Sequence, residues 1–184
     1  GSADESAGEP AAEGTAPGRA REGSSQGGPR RGAAGSSAGS GPGEEERLVI
    51  LYLVAQRGER LVGARLAEAF ARHGLRHGEL GIFHASDSEG RTVFSIANLV
   101  EPGSFDLATM DTLSTPGVAL FTRLPGPQTA QTAFDRMVST GRELAEELGA
   151  HLLDSDHSTL TRQTEQHLRD ELREFDLRRG GARS

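Results

Sequence analysis

Leu48-Val49-Ile50-Leu51-Tyr52-Leu53-Val54 is apolar at every position and rich in strand formers. It reads as a buried strand, and its apolar run is far shorter than the roughly 20 residues a membrane-spanning helix needs. A strand alternates its side chains between two faces, so this one presents Leu48, Ile50 and Tyr52 against Val49, Leu51 and Leu53. Three later stretches repeat the pattern. Leu80 and Ile82 oppose Gly81 and Phe83; Ala97 and Leu99 oppose Phe94, Ile96 and Val100; Ala119 and Phe121 oppose Val118 and Leu120. The chain is thereby committed to a sheet that is apolar on both sides.

The helical stretches decide which side can be covered. Gly63 to His73 carries Leu66, Ala67 and Phe70 at helical spacing and stops at Gly74. Phe134, Met137, Val138, Gly141, Leu144, Ala145 and Leu148 keep the i, i+3, i+4, i+7 rhythm up to Gly149. A third helix starts near Thr161, a serviceable N-cap, with Leu168, Leu172 and Phe175 turned inward. Between them, Leu80 to His84 reads as a strand, Ser86 to Gly90 as a hairpin turn into Thr92 to Leu99, and Phe105 to Thr115 as a loop. Val118 to Leu124 and His151 to Asp154 read as further strands. This order predicts an α+β domain: a mostly antiparallel sheet of about six strands with three helices on one face.

The domain occupies residues 44–177. Residues 1–43 contain no Leu, Ile, Val, Phe or Met and are dominated by Gly, Ala, Ser and Pro. Such a segment cannot offset its ordering entropy by apolar burial and is expected to be a flexible linker. The tail 178–184 is expected to fray.

Three helices on one face leave the other to solvent, where an ordinary sheet is polar. Leu48, Ile50, Leu80, Ile82, Ala97, Leu99, Ala119 and Phe121 are not. A contiguous apolar patch on a soluble protein marks a binding surface; the alternatives are cover by the Phe105–Pro116 loop or by a second copy of the chain. Ala97 and Ala119 among larger neighbours make a shallow groove suited to the apolar stripe of a helix.

Other chemistries find less support. The formal net charge is −7 and every one of the 20 basic residues is Arg; an acidic chain with an aliphatic sheet face does not suit phosphate contacts or base stacking, so no nucleic-acid partner is expected. Cys is absent, which excludes disulfides and thiolate ligands. His151, Asp154, Asp156 and His157 cluster in sequence, but short polar runs at strand ends are usually turns. His84 with Asp87 lacks a nucleophile or an oxyanion loop. Neither a glycine-rich dinucleotide loop nor a phosphate loop is present. No enzymatic activity, metal or cofactor is expected.

Three segments carry a resemblance: RGERLVGARLAEAFARHGLRHGELGIFH, FSIANLVEPGSFD and TLSTPGVALFTRLPGP. From about Leu48 to Arg173 the chain resembles the C-terminal, FtsZ-binding domain of the bacterial cell-division protein ZipA. The resemblance implies a split β-α-β domain whose bare face holds the C-terminal tail of FtsZ in a shallow apolar cleft. Carried over by position, the cleft residues are Leu48, Ile50, Leu80, Ile82, Ala97, Leu99, Ala119 and Phe121, with Glu101 at the rim. It further implies a monomeric domain working at the cytoplasmic face of the inner membrane at the division site. There it would be anchored only through an N-terminal helix upstream of a long spacer, whose distal end residues 1–43 resemble. The chain departs from relatives that place Met where Leu80 and Leu99 stand, and Lys where Glu101 stands. Self-association through the same sheet face is the competing reading.

Overall fold

The computed structural model describes residues 45–181; the expected linker 1–43 lies outside the described residues. Its elements are β1 (Arg47–Ala55), β2 (Leu61–Val62), α1 (Gly63–Arg72), β3 (Arg76–His77), β4 (Phe83–Ser86), β5 (Thr92–Asn98), β6 (Ser114–Thr115), β7 (Gly117–Leu124), α2 (Ala130–Leu148), β8 (Ala150–Leu153) and α3 (Arg162–Gly181). Six strands form one sheet in the order β3-β4-β5-β7-β1-β8, and every pairing is antiparallel. β2 and β6 form a separate two-stranded ribbon. The architecture is α+β, as the alternation of strand and helix patterns requires.

One core holds it together. Val49, Leu51, Leu53, Val118, Leu120, Phe94 and Ile96 point from the sheet into the same cluster as Leu66 and Phe70 of α1, Phe134, Met137 and Leu144 of α2, and Leu172 and Phe175 of α3. Phe94 is 1% exposed. The helix-facing parity is therefore the one carrying the larger, more regular set of apolar side chains, because that set buries the most area per helix. The strand-to-strand register follows: Ile50 lies opposite Phe121 and Tyr52 opposite Ala119 on the other parity.

The connection from Phe105 to Pro116 does not cover the outer parity. Leu107–Thr112 forms a short 3-10 helix, Gly63 N–H donates to the Leu113 carbonyl at 2.8 Å, and Met110 is buried in the helix-side core. A Cβ on Gly63 would sit 2.1 Å from the Met110 carbonyl oxygen, so α1 and this segment approach as closely as backbone allows.

Three local expectations change. The Leu80–His84 stretch becomes a strand only at Phe83; Glu79–Gly81 is a 3-10 turn in which Leu80 adopts φ 62. The turn closes the β3–β4 hairpin, with Gly78 N–H donating to the Ile82 carbonyl at 3.0 Å, and β3 itself is too short and polar to leave a hydrophobic pattern. Val93 joins the core beside Phe94, because the β4–β5 register slips there: Ala85 faces Phe94 while Ser86 faces Thr92. The extra residue of such a bulge breaks strict alternation. Val100 leaves the strand for a turn and is 40% exposed.

α3 extends through Arg178, which binds Glu45 at 3.0 Å, to Gly181. Two groups of charges clamp it to the rest. Arg47 of β1 donates to Glu171 at 2.5 Å, which holds the Glu171 carboxyl below its ordinary value. Partial burial pushes Glu165 up, but hydrogen bonds and charge from Arg142 and Arg169 outweigh it, and its pKa is lowered from the ordinary 4.5. A carboxylate with a depressed folded-state pKa contributes stability above its unfolded value, and that contribution is lost as pH falls through the folded one. Glu165→Gln should thus cost about 1 kcal/mol at pH 7 and flatten the fall in melting temperature as pH drops below the ordinary carboxyl value of 4.5. Calorimetry across that range checks it; an unchanged acid profile would show that this clamp contributes nothing.

Candidate functional site

The outer parity assembles into rows across the sheet. In the first, Arg76 pairs with His84, His84 with Ser95, Ser95 with Phe121 and Phe121 with Ile50. In the second, Ala97 pairs with Ala119, Ala119 with Tyr52 and Tyr52 with Leu153. In the third, Leu99 N–H donates to the Gly117 carbonyl at 3.1 Å, and Gly117 pairs with Val54, which pairs with His151. Beyond the first row Leu48 stands opposite Arg123.

The middle row is floored by two alanines, so it forms a depression between Phe121 with Ile50 on one side and Leu99 with Val54 on the other. Along β7 those walls are four residues apart (Phe121 to Gly117), about 13 Å at ordinary strand rise. An α-helix with its side chains is roughly 10–12 Å across. The groove is open and apolar: Leu48 is 51% and Leu99 37% exposed, while Ile50, Tyr52, Ala97, Ala119 and Phe121 are half-buried.

The wall at Leu99 is set from beneath by a buried polar network. Asn98 Oδ1 accepts from Thr115 Oγ1 at 2.7 Å and from Val100 N–H at 3.2 Å. Thr115 Oγ1 also lies 3.0 Å from the Gly117 carbonyl and accepts from the Gly117 N–H at 3.3 Å. The Asn98 backbone N–H donates to the Gly103 carbonyl at 2.8 Å, so Asn98 ties down the end of β5 through its side chain and the turn bearing Glu101 through its main chain. Gly117 is required here. A Cβ would lie 2.7 Å from the Leu53 carbonyl oxygen and 2.9 Å from Leu99 Cδ1, so Leu99 lies directly over a position with no side chain.

The structure therefore brings Leu48, Ile50, Ala97, Leu99, Ala119 and Phe121 onto one face, with Glu101 exposed on the turn beyond Leu99. Leu80 is not a strand residue: it stands 80% exposed on the β3–β4 turn. Ile82 precedes β4 and is 6% exposed, yet lies outside the helix-side core. Tyr52 and Val54 share the parity of Leu48 and Ile50 and complete the β1 side of the groove. Gly117 and His157 left no such signal: the first has no side chain, and the second arrives through a loop, its ring stacked on Tyr52 at 4.3 Å.

The polar clusters are put to local use. Asp154 Oδ1 accepts from the Asp156 and Ser158 amides at 2.9 and 3.0 Å. His84 bonds Ser95 Oγ at 2.7 Å and the Glu79 carbonyl at 2.8 Å, whereas Asp87 is bonded to the Arg91 and Glu89 amides and to the Arg91 guanidinium. His84 and Asp87 do not meet. Among the described residues no helix is long and apolar enough to cross a membrane.

The family model of the ZipA C-terminal FtsZ-binding domain matches residues 47–171. The chain is similar to cell division protein ZipA of Colwellia psychrerythraea, 38% identical over 135 residues, which are 72% of this chain and 36% of the relative. It is similar to ZipA of Azotobacter vinelandii at 41% over 140 residues, 74% of this chain and 49% of the relative. With ZipA of Pseudomonas fluorescens strain Pf-5 it shares 41% identity over 138 residues, 73% of this chain and 49% of the relative. The chain thus spans about half the length, or less, of the relatives it matches.

Asn98→Ala should destabilise the fold by about 1–3 kcal/mol, the cost of orphaning buried partners. Hydrogen exchange should quicken at the Val100 amide, which donates to the Asn98 side chain, while Ile96 stays protected. Equal loss of protection along all of β5 would mean that Asn98 supports the sheet rather than the groove wall.

Proposed function

The chain belongs to the ZipA C-terminal FtsZ-binding domain family, and from that membership we propose that its uncovered face captures the C-terminal tail of FtsZ as an apolar, helix-forming segment. In that role the domain is a non-enzymatic adaptor of cell division. It holds FtsZ filaments of the Z-ring close to the inner membrane through an anchor and spacer upstream of residue 44. The observation that supports this most is the Ala97–Ala119 depression walled by Phe121, Ile50, Leu99 and Val54: an open, helix-wide, apolar trough in a fold whose helices all serve the other face.

Leu80 and Glu101 enter this reading at the periphery. Leu80, on its exposed turn, can fold against one end of a docked segment. Glu101 on the Leu99 side affects encounter rate and salt dependence more than affinity, as rim charges do.

The competing occupant is a second copy of the chain, and a titration separates the two. A fluorescently labelled FtsZ C-terminal peptide should bind a monomeric domain, with sedimentation giving the monomer mass throughout. Phe121→Ala should weaken that peptide at least about tenfold, since central aromatics at interfaces are commonly worth 2 kcal/mol or more. The same variant should fold normally, whereas Phe94→Ala should cost about 3–5 kcal/mol of stability. A tight dimer that loses affinity for itself on Phe121→Ala, and never binds the peptide, would establish self-association instead.

A further inference from the structure

The groove's two ends present different side chains. One end is the β3–β4 turn, where Glu79 is exposed and Ile82 N–H reaches the Glu79 carbonyl at 3.5 Å. The other is closed by Tyr52, half-buried in the middle row, with the His157 imidazole lying over it at 4.3 Å and 15° from parallel. His157 holds φ 61, in the left-handed region that costs a non-glycine residue about 1 kcal/mol or more. Such a residue persists only where its surroundings over-determine it, and here they do. Asp154, itself 8% exposed, accepts from two loop amides through Oδ1, donates its own N–H to the Ser158 carbonyl at 2.8 Å, and accepts from His157 N–H at 3.0 Å. Glycine would make this turn at no steric cost; histidine there places a ring on the groove.

Resting on the docking reading above, we propose that His157 is a binding residue at the closed end of the groove, receiving the C-terminal end of the helical partner segment. The last carbonyls of a helix lack partners and carry its negative dipole end, and the ring nitrogens of His157 have no hydrogen-bond partner among the described residues. The opposite helix end, positive, then lies towards Glu79, so the two ends of the groove select one direction of docking. Tyr52 of β1 stacks on His157, His151 of β8 lies on the same outer parity through its pairing with Val54, and Asp154 and Asp156 stand in its own loop. Imidazole gains its charge within the physiological range, and a cation at a helix C-terminus strengthens the contact. Binding of the segment is therefore tighter at lower pH.

An FtsZ C-terminal peptide, acetylated and amidated so that its own termini do not titrate, is bound to the domain at pH 6 and pH 8. Wild type should bind about two- to fivefold more tightly at pH 6, the range a charge near a helix terminus supplies. His157→Asn, which tolerates the left-handed conformation, should bind with little pH dependence, while His151→Asn should retain it. Equal affinities at both pH values in wild type, or an unchanged ratio in His157→Asn, would overturn the assignment of His157 while leaving the groove intact. Absence of binding at both pH values would instead defeat the docking reading itself.

Discussion

Everything about this domain follows from which parity of the sheet the helices take. Val49, Leu51, Leu53, Leu120, Phe94 and Ile96 supply large, nearly fully buried side chains, and α1, α2 and α3 all bury their apolar stripes against them. Once that face is closed, the other parity has no helix left to cover it. Its apolar residues remain where the alternation of β1, β5 and β7 puts them. The exposed groove is thus a consequence of the same packing that stabilises the fold, and a change that improved the groove could not be bought by loosening the core.

Much of this was legible in the sequence because side-chain alternation is a local property. The parity of Leu48, Ile50, Ala97, Ala119 and Phe121 could be read without knowing the strand order, as could the three helices from their periodicity. What could not be read were features set by partners distant in the chain. Val93 reaches the core only because the β4–β5 register slips by a residue. Leu80 leaves the strand because β3, two polar residues long, must turn back into β4. His157 reaches Tyr52 through a loop determined by Asp154, and no spacing in the chain announces that stack.

The groove is rigid below and open above. Asn98, Thr115 and Gly117 form a hydrogen-bonded base that fixes Leu99 from the inside, so the wall need not be ordered on binding. Pre-organisation of this kind lowers the cost of association.

The claim that the outer parity is the working face is tested most directly by methyl and amide NMR during titration with an FtsZ C-terminal peptide. The account predicts that Leu48, Ile50, Ala97, Leu99 and Ala119 shift progressively, while the helix-side probes Leu66, Leu144 and Leu172 do not. Shifts concentrated on α1, α2 or α3, with the outer parity silent, would contradict it.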